Sequence, residues 1–388
     1  MLRFLTAGES HGQTLTAIVE GIPSGLDISA KQINTELKRR QAGYGRGGRM
    51  QIESDTAEIS SGVRFGKTLG SPITLIIRNR DWVNWQEKMA VEPLPEGESF
   101  SVITQPRPGH ADLAGAIKFR HTDIRNVLER SSARETAARV AVGSVARILL
   151  KEFDIKIASC VIAIGEVKDN TDVTSWPITD IYQASESSLV RCVSPKTTQQ
   201  MLKEIDKAKD KGDTLGGIFE ILIDGLPIGL GNYTQWDTRL DGRLAQAVMS
   251  IPAIKGVEFG AGFQGAYLPG SQVHDAIYYE DDKFCRKTNN AGGLEGGMTN
   301  GERLVVRAAM KPIATLMKPL PSVDMVTKEK TAATVERSDV CAVPAAAVIG
   351  EAMVAIELCR AMQEKFGGDS LIEMKLNHRL YLEYIEKR

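Results

Sequence analysis

Apolar and polar residues alternate along the first part of the chain, and the period of two predicts β-strands over 15–20 and 52–59. A more continuous apolar strand follows over 73–77. Between them the spacing becomes that of a helix starting near Ala30. Ser29 is its N-cap with Gln32 three residues on, Ile33 and Leu37 share one face, and Gly43 ends it. A longer helix is predicted over 133–153, where Ala137, Val140, Ala141, Val145, Ile148 and Leu149 recur at helical spacing behind a Ser132/Glu135 capping-box pattern. Strands are expected over 155–167 and 217–228, with a polar, solvated helix over 194–213 between them. Another helix runs from Leu240 to Ser250 and stops before Pro252. Residues 289–301 read as a glycine-rich loop and 304–310 as a strand. The last helix starts near Pro344 and runs to about Phe366.

Glu129-Arg130-Ser131 recurs as Glu336-Arg337-Ser338, each ahead of a long Ala/Val-rich helix, with Gly143 and Gly350 at the same offset. This hints at two related strand–helix halves. No composition shift or Pro/Ser linker divides the chain. The expectation is one α+β domain over 1–388, with antiparallel sheets and helices packed between or on them.

Composition narrows the classes. A hydrophobic fraction of 42% and a charged fraction of 25% are those of a globular protein with a sizeable core. The formal net charge of -1 provides no bulk field for nucleic acid or an anionic membrane, so anion binding must come from local clusters. Cys160, Cys192, Cys285, Cys341 and Cys359 have no CxxC or zinc-finger spacing and read as reduced thiols. The N-terminus lacks a signal-peptide pattern, and no apolar run reaches the ~18 residues of a membrane span, so a cytoplasmic protein is expected.

The candidate chemistry lies in loops. Residues 38–49 hold five basic residues and no acid, among glycines that let a backbone approach a ligand closely. They read either as a grip on a small, multiply charged anion or as a solvated basic loop. The GxGxxG match at Gly43, Gly45 and Gly48 follows a helix and precedes a strand, the reverse of a dinucleotide fingerprint. Arg130 and Arg134 stand at the expected start of the 133–153 helix, where two cations are disfavoured by the helix dipole unless an anion binds or Glu129 and Glu135 neutralise them. His11 and His110 sit on turns, free for proton chemistry near neutral pH. His121, His274 and His378 read as structural, and none of the five histidines has metal spacing. Asp339 precedes the last helix as a cap or as a partner of Arg337. Trp82, Trp85, Trp176 and Trp236 are not interleaved with the basic clusters, which argues against a single-strand nucleic-acid platform.

Several runs, in order, carry a resemblance. They are Gly8-Glu9-Ser10-His11-Gly12, Tyr44-Gly45-Arg46-Gly47-Gly48-Arg49-Met50, Arg107-Pro108-Gly109-His110-Ala111-Asp112 and the segment 125–136. The glycine loop from Gly292, Lys311-Pro312-Ile313, Glu336-Arg337-Ser338-Asp339 and Pro344-Ala345 complete the series. Together, from residue 1 to about 366, the chain resembles the chorismate synthase family. The resemblance implies a β-α-β sandwich with antiparallel sheets around helices and internal pseudo-symmetry, assembled as a homotetramer.

It also implies a reaction: anti 1,4-elimination of phosphate from 5-enolpyruvylshikimate 3-phosphate, giving chorismate. Reduced FMN is required although the reaction is redox-neutral. In that scheme His11 protonates the leaving phosphate, His110 donates to the N1/O2 side of the flavin, and Asp339 with Ser10 takes the N5 proton. FMN contacts fall on Arg130, Ser131, Ser132, Pro252, Ala253, Gly296, Lys311, Pro312, Ile313, Ala314, Thr315 and Arg337. Arg40, Arg46, Arg49, Arg107 and Arg134 meet the substrate's anionic groups, and Arg40 and Arg46 also match positions associated with NADP. Pro252 stands where the family often has an amide, so contact there would be through its carbonyl or by packing. No reductase domain accompanies these motifs, so an external flavin reductase or NADPH-dependent reductant is expected. The rival readings are a nicotinamide-dependent flavin oxidoreductase and an anion- or nucleic-acid-binding module.

Overall fold

Leu15, Ala17 and Val19 on one strand face Ile77, Leu75 and Ile73 on the next, and all six are buried. That single apolar face is the period-two pattern made physical. It belongs to a four-stranded antiparallel sheet in the order Arg3–Ala7, Thr14–Glu20, Ile73–Arg78, Ala57–Ile59. A second antiparallel sheet of five strands runs Ile254–Phe259, Leu304–Met310, Gly217–Asp224, Lys156–Ile164, Val167–Lys168. These elements come from a computed structural model that describes residues 1–46, 54–97, 99–336 and 338–388.

Helices fill the space between the sheets. Thr136–Lys151 lies on the first sheet, Val343–Phe366 lies on the second, and the two helices pack on each other. This gives the expected α+β layering of sheet, helices and sheet. Gly143 and Gly350, the pair noted at equal offsets, do different work. A Cβ on Gly143 would sit 2.4 Å from the Ala352 Cβ, so this glycine lets the two helices approach. A Cβ on Gly350 would sit 2.8 Å from the Phe219 ring, so that one seats a helix on a sheet.

Val343–Phe366 is buried on nearly every side, which is why its sequence is apolar all round. Two acids are buried among the apolar residues, Glu357 and Glu351, the latter 1% exposed. Arg39 reaches it with two hydrogen bonds of 2.7 and 2.9 Å, Ser159 donates at 2.6 Å, Arg191 donates at 3.4 Å, and Arg147 also donates. Burial would raise the Glu351 carboxyl, but the guanidinium groups of Arg39, Arg147 and Arg191 outweigh it and hold the group well below the usual carboxylate range.

Several predicted boundaries move. The 133–153 helix divides into a 3-10 turn, Ala133–Glu135, and the helix Thr136–Lys151. Ser132 caps the turn by accepting from the Arg134 N–H at 3.3 Å, while Glu135 pairs with Arg139 at 2.9 Å. Of the 52–59 strand only Ala57–Ile59 is strand; residues 52 and 53 lie outside the described residues. The polar 194–213 segment is a helix, Pro195–Asp210, but it buries Met201 and Ile205. The 289–301 loop contains a hairpin, Leu294–Glu295 with Met298–Thr299, turned by Gly296 and Gly297 at φ +59° and +84°. Helices Asp112–Phe119, Arg125–Ser131, Ile178–Ser187 and Leu371–Ile385 are additional to those expected. No described helix is long and apolar enough to cross a membrane.

Candidate active site

The turn after the first strand carries Ser10 and His11 onto the helix Arg125–Ser131. The Ser10 N–H donates to the Glu129 carbonyl at 2.9 Å, and the His11 N–H donates to Glu129 Oε2 at 2.7 Å. His11 Nδ1 lies 2.8 Å from Glu129 Oε1, the oxygen that also accepts from Arg125 Nη1 at 3.1 Å. Glu129 is buried, which would raise its pKa, but His11 and Arg125 outweigh burial and lower it. A carboxylate at Nδ1 fixes the proton there and makes Nε2 the working nitrogen. Trp85 stacks on the imidazole with ring centroids 3.7 Å apart.

His110 is held in a parallel way. Its Nδ1 is 2.5 Å from Asp112 Oδ1, and Arg107 grips the same carboxylate through Nε at 2.8 Å and Nη2 at 3.1 Å. The Arg107 N–H also donates to Asp112, at 3.0 Å, and Arg107 Nη1 donates to Thr315 Oγ1 at 2.8 Å. Burial would raise the Asp112 carboxyl, but hydrogen bonds from His110 and Arg107 and their charges drive it well below the ordinary range.

The segment 311–315 packs on this loop. Lys311 Nζ donates to the Gly109 carbonyl at 3.0 Å, and the Lys311 N–H donates to the Ala253 carbonyl at 2.9 Å. Ala253 has φ +68°, a left-handed conformation costly for a residue with a Cβ, and this turns its carbonyl toward Lys311. Pro252 precedes it as the link from the helix Leu240–Met249. Ile313 accepts from Thr214 Oγ1 at 2.7 Å, which fixes the strand exit through Pro312 and Ala314. Burial lowers the Lys311 pKa, and the neighbouring charge of Lys255 lowers it further.

Two of the substrate-facing candidates share one acid. Arg40 Nη1 reaches Asp55 Oδ2 at 3.3 Å and Arg134 Nη1 reaches Asp55 Oδ1 at 2.5 Å, all three side chains being buried. Arg40 also donates to Thr136 Oγ1 at 3.1 Å. Arg134 is therefore answered by Asp55. Arg130 lies in the last turn of Arg125–Ser131 and donates to the carbonyls of Gly8 and Thr6 at 2.9 and 2.8 Å. It braces the His11 turn. Ser131 Oγ bonds back to the Val127 carbonyl at 2.7 Å.

Residues 334–336 and 338–340 meet several of these groups. Thr334 bonds Gln105 beside the His110 loop, Glu336 takes Arg125 at 3.4 Å, and Asp339 takes Arg46 at 3.4 Å. The Val340 N–H then donates to the Gly45 carbonyl at 2.8 Å. Arg46 lines an open cavity of about 380 Å³ with Tyr44, Asp206, Lys209 and Ser338. Gly296 turns the hairpin whose Gly297 carbonyl accepts from the Leu240 N–H, at the start of the helix that leads to Ala253. Arg49 and Arg337 lie outside the described residues. Among the described residues no group of histidine, cysteine and acidic side chains could hold a metal ion.

Asp55, Glu129, Arg125 and Trp85 are the site residues that sequence reasoning passed over. Only Glu129 carried a signal, its place beside Arg130.

Known proteins carry the same series. A family model described as chorismate synthase matches residues 2–363. A chorismate synthase of Geobacter metallireducens is 57% identical over 394 residues, with 99% of each chain covered. One of Desulforamulus reducens is 58% identical over 391 residues, with 100% of each covered. A crystal structure of chorismate synthase superposes with a TM-score of 0.81 at 46% identity, covering 100% of this chain and 99% of the other. Sequence and fold thus agree, and the chain belongs to the chorismate synthase family.

Proposed function

We propose that the protein eliminates phosphate from 5-enolpyruvylshikimate 3-phosphate to give chorismate, using reduced FMN without net redox change. The observation that carries this reading is the pair of histidines, each held at Nδ1 by a buried carboxylate that an arginine also holds. An elimination that expels phosphate and manages a cofactor proton needs two such groups, each oriented by its carboxylate. His11 serves the departing phosphate and His110 the cofactor. Arg40, Arg134 and Arg107 are set by Asp55 and Asp112 before substrate arrives, so the cost of ordering them falls on folding rather than on binding. Asp339, placed on Arg46, takes the remaining proton with Ser10.

The residues present fit FMN. Lys311 and Lys255 are cations close enough to oppose each other's charge, and among the described residues neither has an acidic partner, which suits a phosphate. The strained Ala253 turn and Thr315 border the same place. Ser132, Ala253, Lys311 and Thr315 would hold the cofactor. When bound, reduced FMN supplies electron density to the substrate ring as phosphate leaves.

The same reading places the enzyme in the cytoplasm as a homotetramer, fed by an external flavin reductase or NADPH-dependent reductant. The exposed Tyr278, Tyr279 and Phe284 of the hairpin Ile277–Glu280 with Lys283–Arg286 support subunit association. The deciding experiment is anaerobic turnover with chemically reduced FMN, read as phosphate release and chorismate absorbance. Turnover that vanishes with oxidised FMN is expected. Folded, FMN-saturated protein that releases no phosphate would overturn the reading.

A further inference from the structure

Trp85 stands outside every basic run of the sequence, yet its indole covers His11. The ring planes are inclined by 26° with centroids 3.7 Å apart. Three fastenings hold the indole there. Buried Asn79 donates Nδ2 to the Gly12 carbonyl at 2.9 Å and its N–H to the Gln13 carbonyl at 3.0 Å. The short 3-10 turn Arg80–Asn84 therefore hangs from the loop that carries His11. Asp81 accepts the indole Nε1–H at 3.0 Å. The Arg125 guanidinium lies 5.1 Å from the indole centroid while bonding Glu129, the acid that holds His11.

The hydrogen bond to Glu129 sets the edge of the imidazole, and the stacked indole face sets its plane. We propose that Trp85 is a positioning residue for His11, fixing the imidazole plane so that Nε2 meets its proton acceptor in one orientation. This rests on the elimination chemistry assigned above. Proton transfer is steeply sensitive to such alignment, and misplacement by about 1 Å can cost ~10²-fold in rate.

The test uses Trp85→Leu and Trp85→Phe in the full chain, with His11→Asn to assign the His11 imidazole proton signal by NMR. Trp85→Leu should lower kcat by about tenfold to a hundredfold with KM within about twofold, and the His11 signal should lose its indole ring-current shift. Trp85→Phe, which keeps a flat ring, should recover most of both. Unchanged kcat in Trp85→Leu overturns the proposal, as does a raised KM alone, which would make Trp85 a wall of the substrate site. Should Trp85→Leu not fold, Asp81→Ala releases the indole N–H and should give the same pattern in weaker form; no change in kcat or in the His11 signal overturns the proposal there too. If the wild-type protein releases no phosphate, the functional reading fails by itself. The NMR comparison then decides alone whether Trp85 sets the His11 ring.

Discussion

His11 and His110 are held by the same kinds of group, a buried carboxylate at Nδ1 and an arginine behind it, but the chain brings them together differently. Around His110 every member except Thr315 comes from one loop: Arg107 and Asp112 lie three residues before and two after it. Around His11 the acid is 118 residues away and the stacking indole comes from a third segment. A local device assembles as soon as its loop forms. A device built from distant segments exists only when the first sheet, the Arg80–Asn84 turn and the Arg125–Ser131 helix have all docked. The His11 arrangement is therefore the one that tertiary packing defends, with Ser10, Asn79 and Arg130 as its braces.

The comparison can be tested first at the histidines. His110→Ala and His11→Ala should each keep FMN binding and lose about 10²–10⁴-fold in turnover, measured with reduced FMN. A normal rate in either would remove that histidine from the chemistry. Removing the acids separates the two devices further. Asp112→Ala leaves Arg107 buried without its partner and should cost about 3–5 kcal/mol in urea unfolding. Glu129→Ala should cost less, because Arg125 keeps Glu336. Equal losses would contradict this. Acid should expose both carboxylates: each has a folded pKa below its unfolded value, so each adds stability that is present above about pH 4 and lost as pH falls through the folded pKa. Glu129→Gln should flatten the acid limb of stability against pH, and an unaltered limb would show that Glu129 is not held as described. The smallest loss of stability is expected at Thr315→Val, which takes one acceptor from Arg107 and should cost about 1–2 kcal/mol in urea unfolding.

The same contrast explains what could be read from the sequence. Arg107 and His110 were picked out of one local run, 107–112, in which Asp112 was given no role. The sandwich was legible because the strands at 15–20, 73–77 and 304–310 and the helix from near Pro344 bury whole apolar faces. Asp55 and Glu129 gave no comparable sign, since an acid acquires its role only when the fold selects its arginine. Trp85 was judged by its distance along the chain from the basic runs, and that distance says nothing about what a docked turn covers. The helix Arg125–Ser131 was missed because it is short, polar and held by tertiary contacts rather than by a side-chain cap. Arg130, expected at a helix start, lies at a helix end and braces the His11 turn.

Arg39 and Arg40 are neighbours in the last turn of the helix Ala30–Gln41, yet one enters the buried cluster at Glu351 and the other reaches Asp55. A rotation of that turn cannot favour one without tearing the other. Substrate-facing geometry at residue 40 is thus clamped to a deeply buried charge cluster, and amide hydrogens of that turn should exchange only when the whole molecule opens. Affinity for an anion at Arg40 and resistance to unfolding become one inherited quantity, so selection on either acts on both.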